Sequence, residues 1–311
     1  EIQASDWSSD VCSSDLPDLE RNRALEIATR LATRMMRAMD GTASEPMLWQ
    51  VDPNLRPEGK AGALVRTVDS HVTYYERWAQ NWEFQALLKA RFAAGDEELA
   101  NDYLNRIKPL VWSATGREGF VEAAQKMRER VMEHIPANEV NRQIKLGPGG
   151  LRDIEFTVQL LQLVHGRTDE SVRVADTLSA IDTLNSGGYI SRSDSRTFTE
   201  HYKFLRSIEH RIQFAQMRRT HLMPESDSQI RAIARGINIR WTADQLTERW
   251  NEVKLEVRSL HQKVFYRPLL SAVAKLGDTA QLSSDQIFDR LKAIGFDDPK
   301  SALAHIEALT S

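Results

Sequence analysis

Apolar residues recur at steps of three and four along most of this chain, and that period constrains its fold more than any other feature. Leu151, Ile154, Val158, Leu161 and Val164 form one such stripe, and Ala24, Ala28, Leu31, Met35 and Met39 form another. Breakers are scarce: 15 Gly and 10 Pro make 25 residues in a chain of 311, so long segments can stay helical. These features exclude an all-β architecture, and a mainly α (α+β) fold is expected.

The period predicts helices at 18–39, from Ser70 as N-cap to about Ala94, and at roughly 97–111 and 117–135. It predicts others from Leu151 onward and at 172–185, 194–219, 227–235 and 243–266, with Pro268 ending or kinking the last. Between Met47 and Leu55 the period changes to two. Met47, Trp49, Val51 and Leu55 alternate with Gln50, Asp52, Asn54 and Arg56, as in a half-exposed strand, and Pro53 marks it as an edge or irregular one. The segment from Pro57 to Gly62 makes a tight connection to Ala63–Val68, so a short β-hairpin is expected. Residues 1–16 follow neither period. Ser8-Ser9-Asp10 recurs as Ser13-Ser14-Asp15, and Ser13 to Leu16 translates the end of a common sequencing adapter, so this segment reads as fused or artefactual.

Charge and cysteine use exclude several classes of function. With 41 Lys and Arg against 44 Asp and Glu, the net charge of −3 fits neither a nucleic-acid binder nor a polybasic membrane protein. The greasiest stretch, Phe156 to Val164, is too short to span a bilayer and carries Thr157, Gln159 and Gln162. One cysteine, Cys12, allows no internal disulfide and fits a reducing compartment, so a soluble cytoplasmic protein is expected.

Three constellations bear chemistry. Asp52 on a strand face with Arg56, followed by a turn with Lys60, suits a carboxylate holding Mg²⁺ against phosphates that Arg56 and Lys60 neutralise. The same alternation also suits polar residues that simply face water. The run Lys145-Leu146-Gly147-Pro148-Gly149-Gly150-Leu151-Arg152 delivers backbone N–H groups at the start of a helix, as an anion site does, or serves as a hinge; it lacks the Gly-Lys-Ser/Thr ending of a Walker loop. The segment from Arg192 to His221 carries seven Lys and Arg against Asp194, Glu200 and Glu209, a local charge of +4, which most simply marks a solvated face. His201, His210 and His221 lack metal-ligand spacing and read as surface or satisfied core residues, and Trp112, Trp241 and Trp250 as core.

Five segments in order resemble one family. Val51-Asp52-Pro53-Asn54-Leu55-Arg56-Pro57-Glu58-Gly59-Lys60-Ala61-Gly62 is the first, and Tyr74-Tyr75-Glu76-Arg77-Trp78 with Trp82-Glu83 and Lys89-Ala90-Arg91 the second. Lys145 to Phe156 is the third, Phe204-Leu205-Arg206 with Glu209-His210-Arg211 and Gln213 the fourth, and Arg219-Thr220-His221-Leu222-Met223-Pro224 the fifth. Together they resemble the bifunctional glutamine synthetase adenylyltransferase/adenylyl-removing enzymes, specifically the first, adenylyl-removing half. The resemblance implies the rear of a polymerase β-type nucleotidyltransferase domain at 17–112, an all-helical domain of the uridylyltransferase/adenylyltransferase type at 113–268, and a linker with the start of a further helical segment at 269–311. It implies Asp52 as a catalytic residue and metal ligand, with Arg56 and Lys60 near nucleotide phosphates. It also implies Mg²⁺, with ATP, ADP and phosphate as substrates or products. Glutamine synthetase is the implied partner, with a nitrogen-signalling regulatory protein beside it. The expected reaction is phosphorolysis of adenylyl-tyrosine to ADP, by in-line displacement at the α-phosphorus. The two other metal carboxylates of that family have no counterpart here, so the isolated chain is expected to be inactive. A uridylyltransferase of the nitrogen-signalling protein and a non-enzymatic helical interaction module are the competing expectations.

Overall fold

A computed structural model of the chain describes residues 18–41, 51–266, 287–288, 291–292 and 298–310. They fall into two units that divide between Trp112 and Ser113. In the first unit, α1 spans Asp18–Met39 as its apolar period requires, and Ala24 is buried whereas Leu31 and Met35 are exposed.

The single helix expected from Ser70 to Ala94 is instead two. Thr67, not Ser70, caps α2 (Val68–Arg77), its hydroxyl accepting the Ser70 N–H at 3.2 Å. The amides of Trp78 and Ala79 both turn back to the Tyr74 carbonyl, which ends the helix. Then α3 (Asn81–Leu87) begins under Glu83, a buried carboxylate that accepts the Gln80 N–H at 2.8 Å and the Tyr74 hydroxyl at 3.0 Å. One side chain thus caps the new helix and ties it to the old one. The unit continues through α4 (Glu97–Ser113). His71 stands edge-on to Tyr103, and burial together with Arg66 pushes its imidazole down to about 4.

The expected hairpin is not formed by the described residues. Pro53–Leu55 and Gly59–Ala61 are short 3₁₀ turns, and Ala63–Thr67 pairs with no strand; the first part of the expected strand, 47–50, lies outside the described residues. Among the described residues the only β-pairing is an isolated antiparallel bridge, Gln143 with Leu222.

The second unit is helical: α5 (Phe120–Glu133), α6 (Leu151–His165), α7 (Thr177–Ser186), α8 (Arg192–Gln216), α9 (Asp227–Ile237) and α10 (Ala243–Phe265), with α11 at Pro299–Thr310. Its centre is α6, which packs against α5, α7, α8 and α10 and is buried from Asp153 to Val164. A helix buried on every side must satisfy its polar groups internally. Gln162 donates to the carbonyls of Val172 and Val174, each at 2.8 Å, and the Thr157 hydroxyl donates to the Asp153 carbonyl at 2.7 Å. Of the three tryptophans expected in the core, Trp250 is buried, whereas Trp112 and Trp241 are half-buried, Trp241 lying edge-on to Phe204.

The start of α6 is fixed by charge. Arg128 of α5 and Asp153 of α6 are both fully buried, and the Arg128 Nε donates to Asp153 Oδ1 at 2.8 Å. Arg128 Nη2 also donates to the Leu146 carbonyl at 3.0 Å, and Asp153 Oδ2 accepts the Gly149 N–H at 2.7 Å. The pair therefore holds both ends of the glycine loop. From α10, Arg258 stands 3.6 Å from Asp153 Oδ2, and His261 Nδ1 lies 2.8 Å from the Thr157 hydroxyl and 3.1 Å from the Asp153 carbonyl. Because Thr157 spends its proton on Asp153, Nδ1 is the donor of a neutral imidazole. Burial pushes His261 down to about 4 despite the neighbouring carboxylate.

The glycines follow from this clamp. Gly149 sits at φ +72°, and a β-carbon there would come within 2.0 Å of the Lys254 carbonyl oxygen of α10, so both conformation and space demand glycine. Gly149→Val is expected to lower stability by more than the roughly 1–3 kcal/mol of a strained backbone alone. Arg128→Leu leaves buried Asp153 without its fully buried partner and with only the more distant Arg258 charge, and a loss of about 3–5 kcal/mol is expected. Urea unfolding of the chain checks both, and a loss under about 1 kcal/mol in either variant contradicts the clamp.

Candidate functional site

The Asp52–Gly62 segment of the first unit is a compact double turn organised by Arg56. Its Nη1 donates to the Pro53 carbonyl at 2.8 Å, its Nη2 to Gly62 at 3.0 Å, and its Nε to Ala63 at 3.2 Å. These are carbonyls a hairpin ladder would use, and Pro53 offers no N–H in return, which is why turns replace the strand. Glu58 takes φ +61°, uncommon for a residue with a β-carbon, and is ion-paired with Arg66. At Gly62 a β-carbon would lie 2.1 Å from the Pro57 carbonyl oxygen, so the chain closes on itself there.

Asp52 therefore does not share a strand face with Asn54 and Arg56. It caps the first 3₁₀ turn, its Oδ1 accepting the Asn54 N–H at 3.0 Å, and it is exposed. Lys60, on the second turn, is exposed as well. Arg56, expected beside phosphates, has most of its N–H groups on its own loop. Among the described residues no group of three or more His, Cys, Asp or Glu is placed to hold a metal ion. Asp52 alone does not fit a two-ion site, which needs several shared carboxylates.

In the second unit the bridge between Gln143 and Leu222 brings two distant motifs together, with the Ile144 N–H on the His221 carbonyl and the Met223 N–H on the Arg142 carbonyl, both at 2.9 Å. The consequence is a charged cluster on the flank of the glycine loop. Glu209, buried on α8, meets Arg206 Nη1 at 2.5 Å, His221 Nδ1 at 2.9 Å and Lys145 Nζ at 3.5 Å. Glu155, buried on α6, meets Arg206 Nη2 and Arg152 Nη1, each at 3.1 Å. Arg206 also reaches the Tyr202 hydroxyl oxygen at 3.0 Å.

Burial opposes the charge on Glu209, but His221, Lys145 and Arg206 outweigh it and hold the carboxyl down to about 2. Burial likewise opposes the Arg206 charge, yet Tyr202 and Glu209 raise its pKa above the usual arginine value. Burial wins at Lys145, whose pKa falls below the ordinary lysine value despite Glu209 and Glu155. The basic helix is thus not only a solvated face: Arg206 points into this cluster, although Lys203 and His210 are exposed. His201 is buried and paired with Glu256 at 2.7 Å. Sequence reading picked out Lys145 and Arg152 but missed their convergence with Glu209 and His221. The only signal for it was carboxylates set among apolar helix positions.

Comparison with known proteins covers both units. The model of the family described as glutamate-ammonia ligase adenylyltransferase matches residues 11–106, and that described as GlnD PII-uridylyltransferase matches residues 122–265. A bifunctional glutamine synthetase adenylyltransferase/adenylyl-removing enzyme of Leifsonia xyli subsp. xyli is 55% identical over 296 residues, 93% of this chain and 29% of that protein. Its namesake in Streptomyces coelicolor is 53% identical over 95% of this chain and 30% of that protein, and that in Mycobacterium avium 49% over 93% and 29%. The chain spans about three tenths of the length of the curated relatives it matches.

The lowered Glu209 pKa has a measurable sign. Folding favours the ionised carboxylate, so its contribution is fully present above the ordinary glutamate value near 4.5 and is lost as pH falls toward 2. A shift of that size corresponds to about 3 kcal/mol at neutral pH. Glu209→Gln is expected to be less stable than the wild type at pH 7, with a shallower loss between pH 5 and 2. Urea midpoints across that range test this, and parallel slopes contradict it.

Proposed function

We propose that this chain, a relative of the bifunctional glutamine synthetase adenylyltransferase/adenylyl-removing enzymes along nearly all of its sequence, is the part of such an enzyme that joins the rear of the adenylyl-removing catalytic domain to its helical domain. In the whole enzyme the first half releases AMP from a modified tyrosine of glutamine synthetase by phosphorolysis, giving ADP, and the second half adds AMP from ATP. One observation carries the reading: single adenylyltransferase/adenylyl-removing relatives match at 53–55% identity over 93–95% of the chain, a stretch that includes both units. The uridylyltransferase alternative rests on the helical unit alone, where the uridylyltransferase model matches. The adenylyltransferase relatives cover the catalytic-side unit as well, and this favours them.

Within this reading the residues take distinct roles. Asp52 supplies an exposed carboxylate, its Oδ1 held by the turn, that would serve as one ligand of a Mg²⁺ ion in the complete site, and exposed Lys60 supplies a positive charge to phosphate oxygens. Arg56 acts through the turn, fixing where Asp52 and Lys60 stand, and is a positioning residue. Mg²⁺ belongs to the complete catalytic site, to which these residues contribute one carboxylate. Glutamine synthetase is the protein substrate, and regulation by a nitrogen-signalling protein accompanies it. A cytoplasmic setting agrees with the family. Among the described residues no helix is long and apolar enough to cross a membrane.

In the full-length enzyme, Asp52→Asn is expected to abolish phosphate-dependent ADP release from adenylylated glutamine synthetase while leaving the melting temperature unchanged, since the amide keeps the shape and removes the charge. Wild-type turnover in that variant makes Asp52 an ordinary turn residue and favours the interaction-module alternative. The 311-residue chain alone is expected to release no ADP above a no-enzyme control.

A further inference from the structure

The flank of the glycine loop carries cationic donors that the fold does not use. Arg206 spends four of its five N–H groups, with Nη1 on Glu209, Nη2 on Glu155 and Tyr202, and Nε on Tyr202. Arg152 spends fewer: among the described residues its side-chain bond runs from Nη1 to Glu155, and its side chain is 36% exposed. Among the same residues Lys145 has the long 3.5 Å approach to Glu209, with its side chain 16% exposed. Glu155 already serves two arginines, and Glu209 serves Arg206 and His221 as well as Lys145. Lys145, Arg152 and Arg206 face two carboxylates, an excess of one positive charge.

The amides where the loop enters α6 are taken. The N–H of Gly149 goes to Asp153, that of Gly150 to the Gly147 carbonyl, that of Leu151 to Ile144 and that of Arg152 to Lys145. An anion arriving at this helix start meets side chains rather than free amides. The Arg152–Lys145 backbone bond, 2.9 Å long, sets the two residues side by side, close enough for the Arg152 charge to act on the Lys145 ammonium.

We propose that Lys145 and Arg152, backed by Arg206 and His221, form a binding site for a tetrahedral phosphate oxyanion, either free inorganic phosphate or the phosphoryl group of a nucleotide. A guanidinium fork and a neighbouring ammonium complement several oxygens of one dianion, which neutralises the excess charge. Free phosphate as the occupant rests on the proposed phosphorolysis; the site itself does not.

The test uses the 311-residue chain and inorganic phosphate, titrated calorimetrically with chloride holding ionic strength constant. Saturable binding is expected, weakened about tenfold or more in Lys145→Met and in Arg152→Gln, as loss of a charge-assisted contact implies. Arg218→Gln, at an exposed arginine outside the cluster, is expected to bind as the wild type does. Absence of saturable binding, or unchanged affinity in Arg152→Gln, overturns the proposal. Because Arg152 is partly exposed, its variant decides the matter even if Lys145→Met fails to fold. Phosphate that still binds in the presence of saturating ADP identifies free phosphate as the ligand. Displacement by ADP, itself weakened in Arg152→Gln, identifies the nucleotide's phosphoryl group. Binding is read without turnover, so a chain that takes up phosphate while the full-length enzyme releases no ADP refutes the proposed reaction and leaves the site standing.

Discussion

The buried ion pair between Arg128 and Asp153 sets the geometry of the second unit. Neither side chain reaches solvent, and removing two charges from water is costly unless each finds partners. Burial, with the nearby Arg258 charge, lowers the pKa of Arg128, and Asp153 opposes that shift. The glycine loop supplies further partners: Leu146 and Gly147 accept from Arg128 Nη2, and Gly149 donates to Asp153, whereas Arg128 Nη1 has no hydrogen-bond partner among the described residues. The loop therefore has one shape. That shape places Lys145 beside Arg152 and lets α10 pass so close to Gly149 that no β-carbon fits.

That economy decides what the loop can do. A glycine-rich turn opening a helix is a ready anion site when its first amides are free. Here the first-turn carboxylate Asp153 occupies one amide and nearby carbonyls take the others. Capacity for an anion moves from the backbone to the flank, where Glu155 and Glu209 have more cations around them than they can neutralise. Of the glycines that suggest a phosphate cradle, Gly149 is explained by packing against α10, and Gly147 and Gly150 by the close approach of the chain's own carbonyls at Gln143 and Ile144.

The first unit uses an arginine to the same end. Arg56 gathers the carbonyls of Pro53, Gly62 and Ala63, converting a stretch with strand-like alternation into a double turn. Asp52 and Lys60 are left exposed on successive turns. In both units a guanidinium shapes a loop, and the chemically useful charges stand on its outer side.

The helices were largely legible in the sequence because a 3.6-residue period survives any arrangement of partners. The stripe from Leu151 to Val164 and the break at Ile144–Gly150 are where the period put them. The motifs around Asp52, Lys145 and Glu209 pointed to the family before any contact was known. Sequence misjudged the segment after Pro53, since alternation does not reveal that one arginine will claim the ladder's carbonyls. It also ran α2 and α3 together, since Glu83 could be seen to cap a helix only once Tyr74 stood beside it. The charged cluster was hidden for the same reason. Lys145, Glu155, Arg206 and His221 are far apart along the chain, and a one-dimensional pattern records spacing but not convergence. Local periodicity and motif order were fixed by the sequence itself; which charges are spent and which remain available was decided by tertiary packing, because a donor's partner is set by burial and distance.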